Sequence, residues 1–431
     1  MIQVSEHFKF TNGQLRESDL AYLKLLGDIQ SSSCFKGQKD RICLDLKIST
    51  QADNVSVDLD TSYYVGVTRL AEIDRAFFIH SKLDDEHGEV NVLKMFFEAL
   101  QEPENFEHLD DLYDIRLHER PVLIEQKKDL LSPFLIIQFA SLVKRLVTKG
   151  LKKSYYPVME NLTNRIKGKI LIGQQLKNNV PKSKATSTFC AFQEFGADTK
   201  VNRFIKYVLR VARIYLARYN FDDQGELNNI FNFCSPPFSS VSDQRFNAGF
   251  VYRETNPFYK IYNDIVHLGN LILRMESFSV SQKKADSTYY VPPYWIDMSR
   301  LFELYVFKKL RESFPLKGQV SYHRKFSYQE PDFILNTDEH QVIIDAKYKP
   351  RYAHVNISID DARQLSGYSR LRTIQEEFGH INPNDYCILD CLIVYSDQAN
   401  EINPDLADSS TWQLESKYIR IYKTGIALPI L

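Results

Sequence analysis

Two aspartates and a lysine stand at the ends of two short apolar segments in the last third of the chain. Asp332 precedes the segment 333–335, while Asp345 and Lys347 follow the segment 342–344. Both segments are rich in branched residues and a polar, turn-forming stretch separates them, which predicts a β-hairpin. Because alternate residues of a strand project from the same face, Asp345 and Lys347 would point the same way. The hairpin would therefore gather two carboxylates and an ammonium at one end.

This set of groups is typical of a magnesium-dependent phosphodiesterase. Magnesium ions prefer oxygen ligands, and proteins usually bind them through one or two carboxylates while water and substrate phosphate complete the coordination. A bound ion lowers the pKa of an attacking water and offsets charge that develops on the phosphate, and a lysine strengthens either effect. An ordinary surface hairpin with charged ends would show the same Pro-Asp and Asp-x-Lys pattern, so the neighbouring elements decide between the two interpretations.

Three neighbouring features favour the metal site. The segment 295–311 has apolar residues at helical spacing and predicts a helix, in which Glu303 does not fall on a purely polar face. A partly buried carboxylate of this kind needs a partner, either a metal or a nearby lysine. A second helix is predicted over 357–372, with Gln364 and Tyr368 four residues apart on one face. The apolar hairpin arms, in turn, indicate a central, covered sheet.

Taken together, these residues resemble the PD-(D/E)xK nuclease fold in its RecB-like form, in which a helix, a hairpin and a second helix converge on one metal site. More narrowly, the chain resembles the McrC family, the nuclease subunits of McrBC-type restriction systems that attack modified DNA. Four further segments carry this resemblance, and with the site residues they follow the family's order over about residues 156 to 400: Arg165–Ile170, Phe192–Leu209 with its Asn202-Arg203 pair, Asn256–Ile261 and Ile296–Tyr305. The first 155 residues match less well.

The resemblance implies a role for each candidate site residue. Asp332 and Asp345 would bind Mg²⁺, for which Mn²⁺ could substitute, and Glu303 would contribute a ligand directly or through water. Lys347 would position or activate the water and stabilise the transition state. Gln364 and Tyr368 would orient the hairpin and the scissile strand.

The resemblance also implies a partner. An McrC protein docks through its N-terminal region on McrB, a hexameric AAA+ GTPase, and stimulates its GTP hydrolysis. This chain has no GxxxxGK[ST] phosphate loop, so nucleotide hydrolysis would come from another chain. Self-association through the nuclease domain is a further option, and the substrate would be DNA that carries 5-methylcytosine or another modification, as expected in defence against phages.

Composition places the chain in a broad class. With 431 residues, 44% apolar and 25% charged, it is typical of a globular protein of two or three domains. No run of about 18 apolar residues predicts a membrane span, and the N-terminus lacks the pattern of a secretion signal. Six scattered cysteines without a CxxC motif indicate a reducing compartment, so we expect a cytoplasmic protein without a membrane partner.

The net charge of −1 hides a strong asymmetry along the chain. Residues 143–184 contain eleven Lys or Arg against one acid, and residues 84–125 contain thirteen acids against three bases. Such charged runs are often no more than solvated surface. Here the asymmetry between the basic and the acidic run indicates that one face binds DNA and another binds a protein partner. Asn202 and Arg203 could equally brace the fold. The candidate DNA-binding residues are Lys167, Lys169, Arg203, Arg324 and Lys349.

The predicted architecture is a multi-domain α/β protein. Residues 1–128 form a mixed, β-containing region for partner docking, residues 129–290 a basic, mainly helical region, and residues 291–431 a PD-(D/E)xK nuclease domain with a central mixed sheet flanked by helices. The segment 282–293 is the predicted linker between the second and third regions, because it has a polar start and a Pro-Pro end. In the last region, residues 386–395 predict a buried strand and 418–421 an edge strand.

The function predicted from these observations is a metal-dependent DNA endonuclease subunit that makes double-strand breaks together with an AAA+ GTPase. Two alternatives stay open. The first is a stand-alone RecB-like nuclease of repair or mobile-element processing. The second is a non-catalytic DNA-binding protein that activates the motor subunit, against which the complete set of site residues argues.

Overall fold

A computed structural model describes most of the chain, and its elements fall into two compact units. The first unit combines Met1–Leu130 with Tyr290–Leu431, and the second is Leu131–Tyr289. The described residues are 1–9, 16–35, 41–51, 54–70, 72–73, 75–83, 90–109, 112–116, 119–125, 131–217, 225–281, 288–326, 329–382, 384, 387–398 and 403–430. The predicted linker 282–293 lies partly outside them.

The helices and strands follow one another in three stretches. The N-terminal stretch contains β1 (Ile2–Ser5), α1 (Glu17–Lys24), β2 (Ile29–Phe35), β3 (Arg41–Gln51), β4 (Asn54–Thr61), β5 (Tyr64–Arg69), β6 (Ala76–His80), α2 (Val92–Ala99), β7 (Tyr113–Ile115) and β8 (Val122–Glu125). The middle stretch contains α3 (Leu131–Lys149), β9 (Ser154–Thr163), β10 (Lys169–Ile170), α4 (Ile172–Asn178), β11 (Ser187–Gly196), α5 (Lys200–Leu216), α6 (Gly225–Cys234) and α7 (Ile261–Ser281). The last stretch contains β12 (Thr288–Val291), β13 (Tyr294–Asp297), α8 (Met298–Ser313), β14 (Val320–Tyr322), β15 (Phe333–Asn336), β16 (Gln341–Lys347), α9 (Ile359–Ser369), α10 (Arg372–Glu377), β17 (Asp390–Ser396), β18 (Gln413–Leu414) and β19 (Ile421–Ile426).

Strand β13 joins the two ends of the chain. It pairs antiparallel with β5 on one side and with β7 on the other, inside a sheet of order β1-β6-β5-β13-β7. Its Trp295 is fully buried among N-terminal residues that include Leu44 and Tyr64, and the indole N–H donates to Oγ of Ser33 over 3.1 Å. The sequence analysis treated residues 1–128 and 291–431 as separate regions, whereas in the structure they share one sheet and one core.

The same strand corrects the predicted helix 295–311. Helix α8 begins only at Met298, because Tyr294–Asp297 pair on both edges within a sheet. Unpaired backbone groups buried in a core are costly, and pairing with two neighbouring strands satisfies them. Apolar spacing alone cannot distinguish a short buried strand from the first turn of a helix.

The C-terminal sheet is mixed, and it carries the predicted hairpin. Its order is β14-β15-β16-β17-β19-β18, with β16, β17 and β19 parallel and the outer pairings antiparallel. Helix α8 packs on β16, and helix α9 packs on β16 and β17. The predicted α/β class is therefore confirmed. The predicted edge strand at 418–421 is wrong: the strand starts at Ile421 and lies inside the sheet, because β18 covers its outer edge.

The second unit is built from helices and a small sheet. Helices α3, α5, α6 and α7 pack together, and the strands have the order β10-β11-β9. Helix α3 is long and apolar enough to cross a membrane by those two measures, but most of it is buried inside this unit, as in the core helix of a globular domain. Asn202 of α5 is fully buried, where its side chain donates to the carbonyls of Lys152 and Ala197 and accepts from the hydroxyl of Tyr262.

A buried carboxylate, Glu254, joins several segments of the second unit. It forms an ion pair with Lys152, and it accepts the hydroxyl of Tyr252 over 2.6 Å and the backbone N–H of Asn256 over 3.0 Å. Burial alone would raise the pKa of Glu254, but these donors outweigh it and lower the pKa to about 2. The ionised form is therefore favoured more in the folded chain than in the unfolded chain.

We therefore expect the second unit to lose stability in acid. A carboxyl whose pKa falls on folding stabilises the folded state fully above its unfolded pKa of 4.5, and this contribution is lost as the pH falls from 4.5 towards 2. Thermal unfolding of Glu254→Gln should show a lower Tm than the wild type at pH 6 and a smaller fall in Tm between pH 6 and pH 3. Asp243→Asn, which alters an exposed ion pair of the same unit, is the control. An unchanged pH dependence in Glu254→Gln would contradict this account.

Candidate metal centre

Helix α8 presents Glu303 to the open end of the hairpin. The helix begins at a capping residue, Asp297, whose carboxylate accepts the backbone N–H of Arg300 over 3.0 Å. One turn into the helix, the Oε2 atom of Glu303 lies 3.2 Å from the guanidinium of Arg300, 3.3 Å from the hydroxyl of Tyr322 and 3.0 Å from Nε2 of His323. Burial would raise the pKa of Glu303, but the contacts with His323 and Arg300 lower it.

The two aspartates of the hairpin lie side by side. Asp332 directly precedes β15, and its Oδ2 atom accepts the backbone N–H of Ala346 over 2.8 Å. Asp345 lies on β16 and is fully buried. Burial raises the pKa of both carboxyls, and the charges of Asp345 and Glu303 raise that of Asp332 further. Carboxylates this close resist ionising together unless a cation accompanies them.

Lys347 is the charged partner of the buried Asp345 carboxylate, with its Nζ atom 2.7 Å from Oδ2. Among the residues that the structure describes, neither oxygen of this carboxylate accepts a hydrogen bond of regular geometry. Buried carboxylates are normally satisfied by several donors or by a metal ion. The unsatisfied oxygens of Asp345 therefore fit a divalent cation.

Lys347 connects the aspartates to helix α9. Its Nζ atom donates to Oε1 of Gln364 over 3.2 Å, Gln364 donates to the hydroxyl of Tyr368 over 2.9 Å, and Tyr368 donates to the carbonyl of Glu330 over 3.3 Å. Burial would lower the pKa of Lys347, but Asp345 and Asp332 raise it above its usual value. The lysine is therefore a cation at neutral pH.

A histidine that the sequence analysis did not assign to the site lies inside it. His323 follows β14 in a left-handed conformation, with φ of 49°, and its ring reaches both Glu303 and Asp332. One donor atom from each of these three residues lies within 4.8 Å of the other two, so they can hold a metal ion. Sequence reasoning missed this role of His323, because no spacing rule links it to Glu303, twenty positions earlier in the chain.

The structure thus brings all six predicted site residues to one end of the hairpin. Carboxylate oxygens with one imidazole nitrogen suit Mg²⁺ and, because of the nitrogen, Mn²⁺ also. The arrangement can hold a divalent cation beside a lysine ammonium. The six site residues come from three parts of the chain. Glu303 lies on α8, Asp332, Asp345 and Lys347 belong to the hairpin, and Gln364 and Tyr368 lie on α9.

The five predicted DNA-binding residues are divided between the two units, with Lys167, Lys169 and Arg203 in the second and Arg324 and Lys349 in the first. Four of the five take part in ion pairs: Lys167 with Glu194, Arg203 with Asp198, Arg324 with Glu377, and Lys349 with Asp361, whereas Lys169 is exposed on β10. The pair formed by Arg203 is bidentate, with distances of 2.7 and 2.8 Å, and Asp198 also accepts two hydrogen bonds from Ser242. Arg203 therefore braces the second unit, as the alternative interpretation held.

The N-terminal strands support the strand that carries Lys347. The next residue, Tyr348, points to the opposite face, and its hydroxyl donates to Glu6 over 2.7 Å and lies 3.0 Å from that of Ser81. Lys82 donates to the carbonyl of Tyr348 over 2.8 Å. The end of β16 is therefore fixed by residues that follow β1 and β6.

These features define a class: an α/β protein in which acids, a histidine and a lysine form a candidate divalent-metal site at one end of a mixed sheet. The sequence matches the family model described as "McrBC 5-methylcytosine restriction system component" over residues 59–379. This match spans most of the chain, so the chain belongs to this family, and the recognition made from its motifs is confirmed.

Two of the solved structures that this chain resembles are assemblies from Thermococcus gammatolerans. One is a half-complex of McrB AAA+ hexamers with bound McrC, at 16% identity and a TM-score of 0.36, covering 88% of this chain and 80% of the other. The second is an McrBC complex, at 14% identity and a TM-score of 0.29, covering 73% of this chain and 88% of the other. No curated protein matches.

Proposed function

We propose that the chain is the McrC-type nuclease subunit of its restriction system, a divalent-metal-dependent DNA endonuclease with a PD-(D/E)xK site. The observation that carries the proposal is the buried carboxylate of Asp345, which lies beside Asp332 and Lys347 and accepts no hydrogen bond of regular geometry from the described residues. Membership of the McrBC family supports the same assignment.

Each site residue has a distinct task in this proposal. Asp332 and Asp345, with Glu303 and His323, would hold the ion. Bound Mg²⁺ would lower the pKa of a coordinated water and offset charge on the phosphate. Lys347 is protonated and bound to Asp345, so it would orient the water and stabilise developing negative charge rather than accept a proton.

Helix α9 would fix the orientation of that lysine. Gln364 accepts from Lys347, and its amide in turn donates to Tyr368, whose own hydroxyl is anchored on the backbone of Glu330. Because Glu330 lies two residues before Asp332, the chain of hydrogen bonds returns to the hairpin. A lysine restrained in this way loses little rotational freedom when the transition state forms.

The partner in this proposal is a cytoplasmic AAA+ GTPase hexamer of the McrB type. One of the solved relatives is described as McrB AAA+ hexamers with bound McrC. GTP hydrolysis would come from that partner, because this chain has no phosphate loop of the GxxxxGK[ST] type. Recognition of the DNA modification would also lie in the partner.

Plasmid cleavage tests the function. Modified and unmodified plasmids would be incubated with Mg²⁺ and GTP, with the chain alone and with its McrB-type partner. Cutting that requires the partner, GTP and modified DNA supports the proposal. Full-rate cutting by the chain alone would instead identify a stand-alone nuclease, and GTPase stimulation without cutting in Mg²⁺ or Mn²⁺ would identify a non-catalytic activator.

A further inference from the structure

Arg300 contacts two of the four residues proposed to hold the metal ion, Glu303 and His323. Its Nη1 atom lies 3.2 Å from Oε2 of Glu303 and 2.8 Å from Nε2 of His323. The Oε2 atom of Glu303 and the Nε2 atom of His323 are themselves 3.0 Å apart. The guanidinium therefore lies against the donor atoms that a metal ion would use.

The position of Arg300 is fixed by its helix. Its backbone N–H is bound by Asp297, the capping residue of α8, and Glu303 follows three residues later on the same face. The guanidinium also lies over the ring of Tyr322, 5.2 Å from its centroid, and only 22% of the side chain is exposed. The arginine is thus held at the site by its neighbours and is not a mobile surface group.

The imidazole of His323 lies between three charged side chains. Its Nε2 atom is 2.8 Å from Nη1 of Arg300 and 3.0 Å from Oε2 of Glu303, and its Nδ1 atom is 3.2 Å from Oε1 of Glu330. A metal ion bound by His323 would need the lone pair of Nε2. Arg300 and a metal ion would therefore compete for the same position beside Nε2 of His323 and Oε2 of Glu303.

We infer that Arg300 is a displaceable cation that neutralises the metal-free ligand set and lowers the affinity of the site for divalent metal. This inference rests on the metal site of the proposed function and adds a residue that sets its affinity. Binding of the ion to Glu303 and His323 requires the guanidinium to leave both atoms. The cation that it competes with is a divalent metal bound by oxygen and imidazole ligands.

Direct titration with Mn²⁺ tests the inference without relying on DNA cleavage. Calorimetry, with electron paramagnetic resonance of the free ion, would be performed on the full chain without DNA or partner. Arg300→Met removes a unit charge next to the ion while keeping side-chain length, so its Kd for Mn²⁺ should be lower by about tenfold or more. Arg300→Lys keeps the charge but lacks the planar guanidinium. Its Kd for Mn²⁺ should therefore lie between those of Arg300→Met and the wild type.

The control is Arg372→Met, which alters an exposed arginine paired with Glu376 on α10 and should bind Mn²⁺ as the wild type does. Thermal unfolding would verify that every variant is folded. If the wild type binds Mn²⁺ and Arg300→Met binds it equally or more weakly, the inference about Arg300 is wrong but the metal site stands. Arg300 would then support the metal ligands. Absence of Mn²⁺ binding in the wild type and in both Arg300 variants would overturn the metal site itself.

Discussion

Replacing Asp345 by asparagine is expected to abolish DNA cleavage while leaving the fold intact. The substitution keeps the shape of the side chain and removes the charge that a metal ion and Lys347 both need. Loss of a charged group from such a preorganised site lowers the rate by a factor on the order of 10³ or more. The measurement is the plasmid assay with partner and GTP, together with Mn²⁺ titration and thermal unfolding of the variant.

Stability should change little in this variant, because the substitution also removes repulsion between Asp345 and Asp332. Asp338→Asn is the matched control: this aspartate is exposed in the turn of the same hairpin, so its loss should leave cleavage unchanged. Undiminished nicking by Asp345→Asn would refute the assignment of the metal site. Loss of cleavage together with loss of folding would instead assign Asp345 a structural role.

The second large effect is on stability and concerns Trp295. Its side chain is fully buried between N-terminal residues, and its N–H is bound by Ser33. Replacing a buried tryptophan by alanine leaves a large cavity and typically costs about 3–5 kcal/mol. We expect Trp295→Ala to lower the free energy of unfolding of the first unit by this amount. Chemical denaturation would measure it, with spectroscopic signals that report separately on the N-terminal and C-terminal parts of the unit.

Leu316→Ala provides the comparison, since Leu316 is 67% exposed and its truncation should cost less than about 0.5 kcal/mol. The two ends of the chain should unfold together in Trp295→Ala, because β13 lies between β5 and β7. Independent unfolding of residues 1–130 and 290–431, or a cost below about 1 kcal/mol, would show that β13 does not join them into one core.

The hairpin shows what local sequence can predict. Its apolar arms, its polar turn and the alternation of Asp345 and Lys347 follow from short-range rules, and β15 and β16 pair as those rules require. The spacing of Gln364 and Tyr368 likewise placed both on one face of α9, where they are hydrogen-bonded to each other. Both results depend only on residues close together in the chain.

The site contains one residue and one contact that local rules could not supply. His323 enters through a left-handed backbone turn after β14, and Arg300, three residues before Glu303 on α8, reaches His323 only because α8 and β14 lie together in the fold. No periodicity marks a turn of this kind in a residue that is not glycine. The start of α8 depends on strands β5 and β7, which lie more than a hundred residues away in the sequence.

Charge patterning does not show which charges are paired. Two of the candidate DNA-binding residues, Arg324 and Lys349, form ion pairs with Glu377 and Asp361, which lie 53 and 12 positions away in the sequence. The sequence by itself determined the family, the α/β class, the hairpin and the acids at its end, because periodicity and local sterics act over a few residues. Only the tertiary structure decided that β13 joins the two ends of the chain and that His323 meets Glu303 and Arg300 at the site, because these contacts depend on packing between segments far apart in the sequence.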